Sequence, residues 1–453
     1  MNRRLITKLF LTKLLLTPFF LTPFFLTLFF LTMGLLTCGA QEVCHPRLGT
    51  SVSSPDKGIT LTLSSRHQNY NARERATLDK DVLSPKSVNI HPSGTKLYVN
   101  SLEGMRTVVY DAKTGKKLKV INHSFDGTET NLWAPWSGYY KFEHYSKNLK
   151  RFGGKPVESA FSHGGRYLWI PYYRRSFDLN AQDPSAIAVI DTRSDRIVRL
   201  METGILPKMV EVSPDNSYVA VAHWGDNTVG IIDIRGNDPT KWHHRAPAVV
   251  DKRLSWNFSL TQSVNRDSGS GNALRGTVFT PDGKYILVGC MGGNGGIAVI
   301  ETAKGRYLGK LTGMMSNLRH IIISKGYLYL SINGAGYVQR VPLSAITEAI
   351  AKFSPQKKSV AVSGWVNCKT GAGARTISAS PSGRYIYVAC NAASSLDVVN
   401  ASTMKRVASL PLNSYPVGMD VSADGRHIYV TCQGRKGKSP SGNCVDIVKV
   451  DIR

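Results

Sequence analysis

Phe279-Thr280-Pro281-Asp282-Gly283-Lys284-Tyr285-Ile286-Leu287-Val288 reads as a strand, a tight turn and a second strand. Proline presets φ at the first central turn position, and Asp and Gly tolerate the bends that follow. Alternating β-branched and aromatic residues on either side suit paired strands. The same reading fits Val212-Ser213-Pro214-Asp215-Asn216-Ser217-Tyr218-Val219-Ala220-Val221 and Ala379-Ser380-Pro381-Ser382-Gly383-Arg384-Tyr385-Ile386-Tyr387-Val388. Weaker copies start at Ile90, Phe161, Ile323 and Val421, so the chain carries seven.

Most copies lead into a third strand ending in Asp or an equivalent, as in Thr107-Val108-Val109-Tyr110-Asp111 and Ile187-Ala188-Val189-Ile190-Asp191, then a fourth after a Gly-type turn. The Ser-like position recurs at His91, Ser162, Ser213, Thr280, Ser324, Ser380 and Ser422, with a smallest spacing of 42 residues. That is the length of a four-stranded propeller blade. One blade cannot bury its own faces, whereas a closed ring of blades can. The sequence therefore predicts an all-β fold, a seven-bladed β-propeller of four-stranded blades. The last repeat ends in Val445-Asp446-Ile447-Val448-Lys449-Val450 and lacks a fourth strand; Ile59-Thr60-Leu61-Thr62-Leu63 is expected to supply it, closing the ring between the termini.

Tyr98-Val99-Asn100, Tyr387-Val388-Ala389-Cys390-Asn391 and Tyr429-Val430-Thr431-Cys432 each follow such a turn. They resemble the Tyr-Val-Thr-Asn (YVTN) repeat of extracytoplasmic seven-bladed propellers, over roughly residues 80–453. The resemblance implies the fold and a surface or binding role. The family borders on propeller lactonases, but no catalytic set carries over residue by residue.

The chain opens with Arg3, Arg4, Lys8 and Lys13 followed by an apolar run from Leu14 to Leu36, which reads as an export segment over residues 1–37. Leu35-Leu36-Thr37-Cys38 resembles a bacterial lipoprotein box in which Cys38 becomes the acylated N-terminus; Thr before the Cys departs from the usual Gly, Ala or Ser. Cleavage after Ala40 and an uncleaved span are the rival readings. All three put the folded part outside the cytoplasm, membrane-anchored in the first and last. Residues 38–58 then form a tether and 59–453 the propeller. The 453-residue chain has a net charge of +26, and about +22 stays on the mature part, which favours anionic partners.

In a propeller blade the strands alternate in direction from the channel outward, so loops between strands 2 and 3 share one face with the connections between blades. We call this face the top. Long insertions at 122–155, about 251–274, 172–185 and 433–443 all fall there. They carry Trp133, Trp136, Tyr172, Tyr173 and Arg174, with Trp242 flanking the second, and the last contributes Arg435, Lys436 and Lys438; His223 and Trp224 close a neighbouring second strand. Aromatics interleaved with cations suit sugar faces, bases and anionic polymers, and also suit a small local core under a basic rim.

Five residues before each Ser-like position stand Lys86, Val157, Lys208, Arg275, Arg319, Arg375 and Val417, five of them basic. Equivalent positions in a ring converge on its axis, so Lys86, Lys208, Arg275, Arg319 and Arg375 are expected to form a cationic collar at the channel mouth, with Lys155 nearby. Such a collar suggests an anion site, or pairing with acids such as Glu158 and Glu211.

Cysteines of an exported chain suggest disulfides, with Cys432 and Cys444 facing across a hairpin and Cys368 near Cys390 as candidates. Haem, zinc, phosphate-loop and Gly-x-Ser-x-Gly motifs are missing, and no metal or cofactor is expected. The leading expectation is a non-enzymatic, monomeric, membrane-anchored scaffold that binds an anionic small molecule, glycan or protein partner on its top face. The alternatives are a lactonase-like hydrolase, with His223 or His320 moving a proton and Arg275, Arg319 or Arg375 stabilising charge, and a generic polyanion or nucleic-acid binder.

Overall fold

The computed structural model describes residues 45–266, 270–434 and 441–453. The Ser-Pro-Asp-Gly stretches fold by a shared local chemistry. Ser213 Oγ donates to Asp215 Oδ1 at 2.6 Å and accepts the Tyr218 N–H at 2.9 Å. Thr280 repeats both bonds with Asp282 and Tyr285, and Ser422 repeats them with Asp424 and His427. The hydroxyl thus ties strand 1 to the start of strand 2 across the proline turn.

Seven sheets result, antiparallel throughout except where Ser359–Ala361 adds parallel to the outer strand of blade 4. Blade 1 comprises Pro85–Ile90, Lys96–Ser101, Arg106–Asp111 and Lys117–Asn122. Blade 3 comprises Pro207–Val212, Tyr218–His223, Thr228–Asp233 and His243–Val249. Blades 4, 5 and 6 start with Leu274–Phe279, Leu318–Ser324 and Ala374–Ala379. In blade 2 the innermost strand is split into Arg151–Pro156 and Ala160–Ser162, both paired with Tyr167–Arg175.

Blade 7 closes the ring as expected. Pro416–Val421, His427–Cys432 and Cys444–Ile452 come from the C-terminal end, and Ile59–Gln68 supplies the fourth strand. Leu61 lies opposite Val450 and Arg66 opposite Asp446. The last pair is an ion pair inside the protein, Arg66 Nε to Asp446 Oδ1 at 3.5 Å, with both side chains almost fully buried. Burial also pushes the Asp446 carboxyl up, against the pull of Arg66.

The core lies between blades. Trp169, Ile187 and Val189 of blade 2 pack on Val219, Val221 and Ile232 of blade 3, and Ile59, Leu61 and Leu63 pack on Tyr387 and Val398 of blade 6. Each buried aliphatic contributes about 1.5–3 kcal/mol. A helix, Leu343–Ile350, covers the outer side of blades 4 and 5 through Ile346, Ala349 and Ile350.

Candidate functional site: the channel mouth

The collar residues share a backbone device. In blades 1, 3, 4, 5, 6 and 7 the pairing of strands 1 and 2 slips just where Lys86, Lys208, Arg275, Arg319, Arg375 and Val417 stand. A bulge adds one residue on one strand, so its side chain leaves the in-and-out alternation of the sheet. Two residues before each bulge the backbone is left-handed, at Ser84, Leu206, Ala273, Asn317, Gly373 and Tyr415 with φ between 49° and 79°. Five of these six are not glycine, and bulky residues such as Leu206 and Tyr415 hold that region at a cost of about 1–2 kcal/mol. Glycines after the bulge let blades close on the channel. A Cβ on Gly418 would lie 2.5 Å from Lys86 O, and one on Gly276 would lie 2.8 Å from His320 Cα.

Lys86, Lys208 and Arg375 share one cavity wall, and the charges of Arg275 and Arg319 are felt at Lys86. Lys86 is 6% exposed. Burial drives its ammonium well below the usual lysine range, and the Arg375, Arg275 and Arg319 charges press the same way against the pull of Glu158. Its Nζ lies 3.6 Å from Glu158 Oε1 and has no hydrogen-bond partner among the described residues.

Above it opens a cavity of about 440 Å³, walled by Lys86, Lys155, Arg174, Lys208, Arg266 and Arg375 among others. Among the described residues Glu103 is the only acid in that wall, and it pairs with Lys155 at 2.5 Å. The loops that meet here are those between strands 2 and 3 of blades 1, 2 and 7 and the insertion before blade 4. Aromatic rings support the cations. Lys208 Nζ sits 4.1 Å from the Tyr173 ring centre and 5.3 Å from that of Trp224. Arg266 lies 4.8 Å from Phe258 and 5.6 Å from Trp256, and Arg375 lies 5.8 Å from Tyr415. Arg266 is buried, and its Nε and Nη2 have no hydrogen-bond partner among the described residues.

A second cavity, of about 550 Å³, lies under the first insertion and includes Tyr139, Tyr140, Asp183, Asp226, Arg253 and Trp256 in its wall. Asp183 holds that insertion down: it accepts the backbone N–H groups of Glu143, His144 and Tyr145 and His144 Nδ1 at 2.8 Å. Burial pushes the Asp226 carboxyl up to about 6.

Not every aromatic expected on the top face is there. Tyr173, Arg174 and Trp224 stand at the mouth, and Trp136 is half exposed on its insertion. Tyr172 is instead buried in the blade 2 core, its hydroxyl bonded to His123 Nδ1 at 2.9 Å, because neighbouring strand residues face opposite ways. Trp133 runs along the outer strand of blade 2 beside Leu200, with the Arg175 guanidinium 5.3 Å from its ring. Trp242 corrects the face assignment outright. It follows strand 3 of its blade, packs on Trp169 and Tyr167, stacks on His163 and donates to Gly236 O at 3.2 Å, beside the turns of the opposite face.

The histidines offer no proton relay of the expected kind. His223 is fully buried; Nε2 accepts from Gly204 N at 3.1 Å and from Thr203, and Nδ1 bonds Thr228 Oγ1 at 2.7 Å. Burial lowers it to about 3. His320 stands on the innermost strand of blade 5 and is lowered to about 4 by burial, with a long 3.4 Å bond from Ile377 N and no side-chain carboxylate bonded to it among the described residues.

The expected disulfides are absent from the structure. Cys290, Cys368, Cys390, Cys432 and Cys444 are all buried free thiols. Cys432 and Cys444 are opposite each other in register, but Cys444 Sγ turns to Asp446 Oδ1 at 3.1 Å. Cys368 ends blade 5 opposite Val338, while Cys390 belongs to blade 6 opposite Ala374 and Ser395. Cys38, the export segment, Arg435, Lys436 and Lys438 lie outside the described residues.

Sequence reasoning missed Arg266 and the bulges. Arg266 is the lone cation between Leu254 and Leu274, which was the available signal.

No family model matches the chain, and no curated protein does. Among solved structures it is similar to a chain of hydrazine synthase from Kuenenia stuttgartiensis, with a TM-score of 0.57 and 14% identity over 83% of this chain and 98% of the other. It is also similar to the Cps50 (Swd1) β-propeller domain from Myceliophthora thermophila, with a TM-score of 0.52 and 13% identity over 80% and 96%. At such identities the likeness is one of fold: the chain is a seven-bladed β-propeller.

Proposed function

We propose that this propeller is an exported, lipid-anchored receptor of the Tyr-Val-Thr-Asn type whose channel mouth binds a compact anion carrying several charges. The observation that carries this reading is the cation-rich wall of the 440 Å³ cavity, in which Glu103, the one acid among the described residues, is paired with Lys155. The volume lies in the range of small-molecule sites, which favours a compact ligand over a polymer. Aromatic faces behind Lys208 and Arg266 stabilise those cations without neutralising them. The basic and apolar opening and Cys38 support export and anchoring, with the top face free to meet a solute, a glycan or a protein partner. A hydrolase has less support, because both ring nitrogens of His223 are occupied and no carboxylate among the described residues is bonded to His320.

The test is calorimetric titration of the folded protein with tripolyphosphate and with citrate at two salt concentrations. We expect saturable binding that persists at the higher salt. The combined variant Lys208→Met, Arg275→Met, Arg319→Met and Arg375→Met should lose it, with Tm lowered by no more than a few degrees. Unchanged binding in that variant overturns the assignment. Binding that vanishes with salt for every anion tried marks a generic surface effect.

A further inference from the structure

We infer that the 550 Å³ cavity under the first insertion is a binding site for a zwitterion, a free α-amino acid with an apolar side chain, whose ammonium meets Asp226 and whose carboxylate meets Arg253. This site is separate from the channel mouth and does not rest on the anion reading.

The walls of the two cavities differ in charge. The mouth is cationic, whereas this wall mixes the acids Glu143, Asp183 and Asp226 with the cations Lys141 and Arg253. Complementary charge selects partners, so a wall of both signs suits a ligand that carries both. The acids are not equivalent. Asp183 is committed to three backbone N–H groups and to His144, and Glu143 is exposed on the insertion. Asp226 is buried. Thr228 donates to its Oδ1 through the backbone N–H at 3.1 Å and the hydroxyl at 2.7 Å, and the Ile205 N–H also bears on the carboxyl. A carboxylate accepts at about four sites, which leaves room for a ligand donor.

Local bonds set Arg253 beside that carboxyl. Asn227 Nδ2 donates to Lys252 O at 3.1 Å, Leu254 N to Asp226 O at 3.1 Å and Trp256 Nε1 to Gly225 O at 2.7 Å. The insertion is thus fastened on both sides of Arg253 to the hairpin that carries Asp226. The Arg253 charge draws the Asp226 carboxyl down against burial, yet the two form no ion pair among the described residues. Opposite charges held apart in one wall match the two ends of a zwitterion.

Tyr139, Pro184, Ile205, Leu254 and Trp256 add apolar surface to the same wall, against which an apolar side chain leaves water. A sugar ring fits less well, because it needs a flat aromatic face. Trp256 lies nearly parallel to Phe258 with ring centres 5.4 Å apart, and Tyr140 is buried edge-on against His223 and His244 at 5.8 and 5.4 Å. The wall is also preformed. A Cβ on Gly230 would lie 2.7 Å from the Tyr140 hydroxyl, and Gln182 Oε1 accepts the Phe258 N–H at 2.7 Å. A preformed wall spares the ordering that a loose one requires on binding.

The experiment is calorimetric titration of the folded mature protein at neutral pH with L-leucine, L-phenylalanine and L-tryptophan. The methyl ester, which lacks the carboxylate, and the N-acetyl form, which lacks the ammonium, follow for each. We expect saturable binding of at least one amino acid, weaker by about tenfold or more for its ester and its N-acetyl form. Arg253→Gln should weaken the amino acid by about tenfold and leave the ester's affinity unchanged, a split that general damage to the fold would not produce. Saturating tripolyphosphate should leave amino-acid binding in place. No binding of any of the three, equal binding of an amino acid and both its derivatives, or displacement by tripolyphosphate overturns the proposal. Tighter binding of the ester overturns it in favour of a simple cation site. The derivatives are read on the wild type, so these outcomes hold whatever the folding of the variant. Tripolyphosphate titrated alone on the same sample tests the mouth: an amino acid bound without it keeps this site and sinks the anion site, and the reverse sinks this one.

Discussion

The two ends of the innermost strands follow opposite rules. At the bottom, a Ser or Thr hydroxyl bonded to the Asp two residues on recurs in blades 3, 4 and 7. At the top, the innermost strands of blades 1 and 3 to 7 start from a left-handed residue and a bulge, and the residue placed there is Lys, Arg or Val. The bottom repeats because every blade has the same folding problem. The top varies because its side chains meet at one place and need not be alike.

Three substitutions would break or sharpen that contrast. The largest effect is expected at the ring closure, which is structural and distant in role from the mouth. Asp446→Ala strands the buried Arg66 guanidinium and should cost about 3–5 kcal/mol in urea unfolding. A loss below about 1 kcal/mol would mean that Tyr70, His45 and Pro46, which also bond Arg66, satisfy it alone.

The next concerns the channel between the two ends. Burial raises the Glu211 carboxyl from 4.5 to about 7. A raised folded-state value means that the group's stabilisation is complete below about pH 4.5 and is lost as pH climbs through 7. Glu211→Gln, which mimics the protonated form, should therefore match the wild type at pH 4.5 and exceed it at pH 8 by on the order of 2 kcal/mol. Equal Tm differences at both pH values would show that Glu211 keeps its charge in the channel.

The smallest effect belongs to the bottom turns. Ser213→Ala removes one donated and two accepted hydrogen bonds and should cost about 1–2 kcal/mol, with anion affinity at the mouth unchanged. A change in affinity would mean that the two ends are coupled along the strand.

The contrast also explains what could be read from the sequence. Turn chemistry and strand periodicity announce themselves locally, so the seven blades and the closing strand at Ile59 were legible. The collar was legible as a column of positions, because ring symmetry turns equal spacing into nearness. The bulges were not, since they depend on pairing with a second strand. Tyr172 and Tyr173 look equivalent in sequence, yet one is core and the other supports Lys208. Trp242 misled because its place is set by the strand it follows, not by the insertion it precedes.

The strand Ile59–Gln68 is made first and paired last. Ser64 bonds Ile447 across 383 residues of chain, so nearly the whole protein must be synthesised before the final sheet can form. Until then Ile59, Leu61 and Leu63, fully buried in the finished ring, belong to an open edge that invites wrong partners. Contacts of such separation form slowly. Closure is thus a test of completeness: a chain cut short anywhere before Cys444 leaves blade 7 without its third strand and its fourth with nothing to join.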